Sequence, residues 1–385
     1  MNTDRLLRPT WVEISLARLR RNFQRVGELA GRRTPRRVMA VVKADAYGHG
    51  AVAIAKCLAA CEVDWFGVAT AEEALELRAA GIEQPILLLG GLYMSDPVHV
   101  IDHRLTPSIP STVRLDTYAE CARRLGCPIE FHLKVDTGLG RLGVPLAQLA
   151  SFLEHYQELQ GLKLTGVFTH LASAEDLVAS QTEEQAECFA AALQQLRAFH
   201  IEPEWIHVSN SGALLTQRRF PENLVRVGAL LYGFHGPLVF PPSQAPARLP
   251  AFEPILTFKS RVVYLKDVPR GTPLGYGAAF HTRRRSRIAT VPVGYADGLS
   301  HALSNRGRAI VRDGYARIVG NISMDLSLLD VTDIPGVNVG DEVILIGQSD
   351  HCSLTALEIA GEAGTVPYEV LCLIGKRVPR FYVDD

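Results

Sequence analysis

Cysteine is sparse in this chain, and what there is does not pair up. Seven cysteines, at 57, 61, 121, 127, 188, 352 and 372 of 385 residues, include no C-x-x-C. That excludes a disulfide framework and suits a reducing compartment. Long apolar runs are also missing. None approaches ~18 residues, so no membrane span is expected. The opening MNTDRLLRPT lacks the apolar region of a secretory signal, which makes a cytoplasmic location the expectation. Charge of either sign is not in surplus: the formal net charge is −1, so neither nucleic acid nor an anionic membrane is expected as a partner. Two basic clusters, RRTPRR (32–37) and RRRSR (283–287), carry no interleaved aromatics and read as solvated loops. Internal repeats and low-complexity tracts are absent as well.

What remains is an ordinary globular composition, 47% hydrophobic and 21% charged, over a length that favours two domains. Helical and strand periodicities alternate through the first part of the chain. SLARLRRNFQRVGELA (15–30) opens on Ser15 as an N-cap and spaces Leu16, Leu19, Phe23 and Val26 along one face. Short apolar runs follow at 38–44, 65–70, 85–91, 104–109, 129–136, 164–172, 205–212 and 223–233. Each is a candidate buried strand, the fourth being weakened by Pro107. Helical stretches separate most of them, among them 70–81, 111–126 and 181–200; Thr70 and Glu73 have capping-box spacing. Strands and helices in this alternation predict an α/β chain with an N-terminal (β/α)8 barrel. An open doubly wound sheet would want a G-x-G-x-x-G loop after its first strand, and KADAYGHG is not one.

GPLVFPPSQAPARLP (236–250) holds five prolines in fifteen residues, a linker composition. Beyond it the texture turns β-branched and turn-rich, with two short helices expected near 353–362 and 368–375. This predicts a barrel over 1–240 and a smaller, mainly β C-terminal domain over 250–385, with residues 1–14 open to pairing with that second domain.

Barrel chemistry sits at the C-terminal ends of the strands. Those ends carry Lys43, Lys134 with Asp136, His170, Asn210 with Ser211, and Arg226 with Gly228. A lysine there can snorkel to water, or stand as a desolvated amine poised for a carbonyl. The last two strand loops, HVSNSGA (207–213) and RVGALLYG (226–233), offer small residues, hydroxyls and free N–H groups, as a phosphate needs. A ligand with phosphate at one end and a carbonyl at the other is pyridoxal 5′-phosphate.

On AVVKADAYGHGA (40–51), KVDTGLGRLG (134–143), HVSNSGA, RVGALLYG, GYGAAF (275–280), VPVGYADG (291–298), GNISMD (320–325) and PYEV (367–370), the chain resembles the alanine racemase family nearly end to end. The resemblance implies a pyridoxal-phosphate isomerase acting on a small amino acid, as a homodimer and without a metal. Racemisation removes a proton from one face of Cα and returns it to the other, so two groups should flank the substrate. The resemblance assigns Lys43 as cofactor lysine and base on the D-alanine face, and Tyr276, delivered by the partner subunit, as base on the L-alanine face. It implies cofactor contacts from Tyr47, His170, Asn210, Ser211, Arg226, Gly228, Ala229 and Tyr368. Arg226 would face the pyridine nitrogen, with His170 orienting it or packing beside the ring. Arg141 and the Met324 backbone N–H would meet the substrate carboxylate. Lys134, carbamylated in many relatives, and Asp325 would support them. A phenol acting as base needs its pKa lowered, a task for nearby arginines.

Asn321 and His301 stand where members of the family often carry arginine, on the path by which substrate enters. Two competing readings remain at this point: a broad-specificity racemase of the same architecture, and a non-catalytic cofactor carrier. The residues beyond 250 that bear Tyr276 and Met324 argue against the second.

Overall fold

The computed structural model describes residues 7–31, 36–241 and 249–384. Most of the first basic cluster and part of the proline-rich stretch lie outside the described residues, as do residues 1–6. In the second cluster Arg284 pairs with Asp333, and Arg287 Nη2 donates to the Val337 carbonyl.

All eight expected barrel strands form. In chain order they are Arg37–Val41, Trp65–Val68, Ile86–Leu88, Thr106–Ile109, Ile129–Asp136, Leu162–Phe168, Trp205–His207 and Leu224–Val227. Each of the first six pairs in parallel with the next, and the eighth pairs with the first, Arg226 opposite Met39; the seventh and eighth form no ladder with each other. Between the seventh and eighth, Asn223 N–H donates to Ile206 O and Arg226 N–H to Ser209 O, which draws the ring together. The fourth strand forms despite Pro107: Pro107, Ser108 and Ile109 are buried, and Ser108 Oγ donates to Leu88 O of the third strand at 2.7 Å. The helices sit where the periodicity puts them. Ser15 Oγ accepts from Arg18 N–H at the head of Leu16–Gly31, and Thr70 and Glu73 close a reciprocal capping box on Ala71–Ala79.

The first strand is shorter than the apolar run suggests. It ends at Val41, and Ala44, Asp45, Ala46 and Tyr47 follow with φ of 51°, 53°, 52° and 56°. Four consecutive left-handed residues without a glycine each cost roughly 1–2 kcal/mol. No turn signature in KADAY announces them.

Beyond the proline-rich stretch a second, largely antiparallel sheet is built from Leu256–Arg261, Tyr264–Val268, Ser286–Val291, Arg308–Val311, Gly314–Ile318, Ser327–Asp330 and Glu342–Gln348. Thr10–Ser15, from the start of the chain, lies in this sheet between Leu256–Arg261 and Arg380–Val383. Helices Ala356–Ala363 and Pro367–Cys372 pack beside it. One contiguous apolar core runs through both sheets, from Ile54 and Phe131 in the barrel to Phe258 and Leu345 in the second sheet. Among the described residues no helix is long and apolar enough to cross a membrane.

Candidate active site

A cavity of about 580 Å³ opens at the C-terminal ends of the barrel strands. Lys43, Tyr47, Lys134, Arg141, His170, Asn210, Ser211, Arg226, Gly228, Ala229 and Tyr368 all line it. Burial, reinforced by the Arg141 charge, pushes the Lys43 amine below its ordinary value. Lys134 is pushed down to about 8, first by burial and then by Arg141, Arg226 and Lys43. Its Nζ lies 3.5 Å from the Leu89 carbonyl and 5.5 Å from the Phe168 ring centre.

Arg226 is buried at 4% exposure without a carboxylate among its hydrogen-bond partners. Nη1 donates to His207 Nδ1 (3.1 Å) and His207 O (2.8 Å); Nη2 donates to Thr169 O (2.7 Å), Val208 O (3.1 Å) and His170 Nδ1 (3.4 Å). Desolvation lowers the guanidinium to about 10, which leaves it charged at neutral pH. Burial and the same cation bring His170 down to about 3, so it meets Arg226 as a neutral acceptor.

The hydrogen bonds fix two further tautomers. Arg226 donates to His207 Nδ1, so His207 carries its proton on Nε2 and donates to His132 Nδ1 at 2.9 Å. His132 is then protonated on Nε2, an atom buried without a partner among the described residues. Both rings are held neutral by burial, His132 at about 3.

In the same lining Ser211 Oγ accepts from Gly228 N–H at 3.1 Å, and Asn210 Oδ1 caps the turn through Ala213 N–H at 2.9 Å. The Tyr47 hydroxyl lies where a Cβ on Gly228 would come within 2.5 Å of it, so only glycine leaves this cradle open. Burial raises the Tyr47 and Tyr368 phenols, the latter to about 12; both are hydrogen-bond donors at neutral pH. Asp136 Oδ1 gathers the N–H groups of Gly138, Leu139 and Gly140, shaping the loop that carries Arg141.

Tyr276, Met324 and Asp325 are elsewhere. With Asn321, His301 and Tyr295 they line a separate depression on the second sheet that shares no residue with the barrel cavity. Tyr276 is 76% exposed, not a packed phenol, and no arginine lines that depression. Gly275 and Gly320, both at positive φ, press together and bring the Tyr276 turn onto the Met324 loop, and Asn321 Nδ2 donates to Tyr276 O at 3.0 Å. Met324 N–H makes no hydrogen bond among the described residues. Its carbonyl accepts from Ala296 N–H, and Asp325 is bound by Arg377 at 2.7 Å.

Family models described as "Alanine racemase, N-terminal domain" and "Alanine racemase, C-terminal domain" match residues 14–236 and 255–382. The chain belongs to the alanine racemase family. It is 40% identical over 378 residues to the alanine racemase of Halothermothrix orenii, covering 98% of each chain. Among solved structures, the alanine racemase of Clostridium difficile 630 superposes with a TM-score of 0.88 at 34% identity, covering 99% of this chain and 97% of that one. The Bartonella henselae alanine racemase, solved with covalently bound pyridoxal phosphate, superposes at 0.85 and 29% identity, covering 97% and 99%. Membership makes this a pyridoxal-phosphate-dependent alanine racemase fold, with barrel and mainly β domain as expected.

Sequence reasoning missed Phe168, His207, His132 and Tyr295. Phe168 stacks on His207 with ring centres 4.7 Å apart and lies under the Arg226 guanidinium. Tyr295 belongs to the quoted VPVGYADG motif, and that placement beside GNISMD was its only signal.

Proposed function

We propose that this chain interconverts L- and D-alanine by a two-base mechanism, with Lys43 on the D face and Tyr276 of the partner subunit on the L face. The observation that carries the proposal is the separation within one chain: an amine in the barrel cavity, and an exposed phenol beside a free Met324 N–H. Each half lacks the other's chemistry, and a two-fold pair would supply both.

The barrel residues fit pyridoxal 5′-phosphate. A depressed amine lines the cavity, and so does the Gly228 cradle, with the hydroxyls of Tyr47, Ser211 and Tyr368. Arg226 spends only Nη1 and Nη2 on the protein, among the described residues, which leaves Nε for the ring nitrogen. When bound, the cofactor supplies the electron withdrawal that acidifies the substrate Cα–H. The charged Arg226 disfavours a proton on the ring nitrogen and so limits side reactions. Lys43, held toward its neutral form, takes or returns the proton on the D side. Arg141 and the Met324 N–H of the partner subunit orient the alanine carboxylate. Lys134 near pKa 8 has a neutral fraction able to add CO2 with loss of a proton; the resulting carbamate would be an anion beside Arg141. The domain division at 240–250, with Thr10–Ser15 joining the second domain, and a cytoplasmic location complete the proposal.

Mixing Lys43→Ala chains with Tyr276→Phe chains tests it. If the tyrosine acts across the pair, each mixed dimer carries one intact site and activity returns. If activity stays absent after mass spectrometry confirms subunit exchange, the composite site is wrong.

A further inference from the structure

We infer that Glu73 is a positioning residue for Lys43, its carboxylate fixing the backbone amide from which the left-handed turn departs. The inference rests on Lys43 being the reacting amine.

The turn over Ala44–Tyr47 is strained, and strain persists only where surrounding contacts over-determine it. Its far end is well held. Asp45 Oδ1 accepts from Ala51 N–H at 2.7 Å, His49 Nδ1 lies 2.9 Å from Ala46 O, and Arg380 Nη2 donates to Gly48 O at 3.1 Å. Its near end begins at Ala44, directly after Lys43, and there the Ala44 N–H donates to Glu73 Oε1 at 2.7 Å.

Helix capping does not account for that contact. The capping box needs one carboxylate oxygen, and Oε2 fills the need by accepting from Ala69 N–H (2.7 Å) and Thr70 N–H (3.3 Å). Oε1 is left to reach across 29 residues of sequence to Ala44. One side chain thus pins the ends of the first and second barrel strands to each other. Its charge is also the main influence favouring the protonated Lys43, against burial and Arg141. Without the anchor, Ala44 is free to relax toward the ordinary right-handed region, which swings the lysine stem away from its cavity position. Misplacement of a reacting group by about 1 Å can cost about 100-fold in rate.

Glutamine separates the two duties. Glu73→Gln keeps one carbonyl oxygen, enough for the cap, but turns an NH2 toward the Ala44 N–H. Thr70→Ala removes the cap hydroxyl and leaves the Ala44 anchor. In the holoenzyme we expect Glu73→Gln to lower kcat on either alanine enantiomer by about 10- to 100-fold with KM within about twofold, and to speed amide hydrogen exchange in peptides covering 43–50. Thr70→Ala should change neither. Adding Ala44→Gly to Glu73→Gln should recover part of kcat, because glycine takes positive φ freely. Equal losses from Glu73→Gln and Thr70→Ala, or no recovery with Ala44→Gly, would overturn the inference. Should Glu73→Gln not fold, Glu73→Asp, too short to bridge both strands, is read the same way. If the wild type itself does not racemise alanine, the functional proposal fails, while the exchange comparison still reads the anchor.

Discussion

The barrel cavity gathers Lys43, Lys134, Arg141 and Arg226 around neutral histidines, and Glu175 is the one carboxylate among its described lining residues. The Tyr276 depression is arranged otherwise. Beside it Asp297, fully buried, is gripped by Arg8 and Arg377 at 2.7 Å each, and Arg377 continues to Asp325. Two cations and two carboxylates balance there. Burial alone would raise the Asp297 carboxyl, but the bonds from Arg377, Gly294 N–H and Arg8 outweigh it and hold the pKa down. The first region has unmatched positive charge, as a site does when its anion arrives with a ligand. The second is electrostatically complete and unfinished only in its surface: Tyr276, Tyr295 and Met324 are all exposed. A counter-charge is what the barrel lacks; cover is what the second sheet lacks.

The largest test of that division is Tyr276→Phe. Removing one hydroxyl from the exposed region should cut exchange of the Cα proton of L-alanine into deuterated water by about 10²- to 10⁴-fold, and exchange of D-alanine far less. Measuring each enantiomer separately decides it. Equal losses on both faces would make the tyrosine a general support and erase the distinction between the two regions.

Acid should attack the regions in a set order. His49, His132 and His207 are buried in or near the barrel and His170 is half-buried there; all are depressed from about 6.5, His49 to about 4 and His132 and His170 to about 3. Between those values and 6.5 the unfolded chain binds protons that the folded chain refuses, so stability falls as pH drops below 6.5 and is flat above it on this account. Asp297, depressed below its ordinary value, costs the second sheet stability only once pH falls below about 3.8. The Tm should therefore be about 10 °C lower at pH 5 than at pH 7. Hydrogen exchange at pH 5 should loosen peptides around 129–136 and 205–210 before those around 294–298. Second-sheet peptides opening first would contradict the assignment.

The smallest effect belongs to the entrance. His301→Arg adds a rim cation and should change KM for alanine by about 2- to 5-fold, with a steeper salt dependence and kcat unmoved. Asn321→Arg differs, because Asn321 also holds the Tyr276 carbonyl. It should lower kcat as well, and identical behaviour of the two variants would show that this bond does nothing for the tyrosine.

Much of the barrel was legible because each strand is a short apolar run closed by helix caps or glycines. Its cavity was legible too, since polar residues at successive strand ends have no reason to gather otherwise. Which strand residues face inward was not. Barrel strands are buried on both sides, so they carry no alternation to read; Phe168, His132 and His207 look no different in sequence from their outward neighbours. The left-handed turn was invisible for a related reason. Ala44, Ala46 and Tyr47 have no preference for positive φ, and the contacts that impose it come from Glu73, His49 and Arg380. Tyr276 shows the reverse failure: its motif was plain, but its exposure depends on the fold around Gly275 and Gly320.

Thr10–Ser15 has a consequence for how the molecule is made. This strand leaves the ribosome before any barrel strand, yet its parallel neighbour Arg380–Val383 follows roughly 370 residues later. At 5–20 residues per second the delay is on the order of tens of seconds. Until then the nascent chain holds an apolar segment, with Trp11, Val12 and Ile14 all destined for burial, that can pair on one side once Leu256–Arg261 is made and has its second edge open until Arg380–Val383 follows. The eight-stranded ring has every one of its strands available long before then. Synthesis thus sets an order in which the barrel strands assemble first and Thr10–Ser15 is enclosed on both sides last.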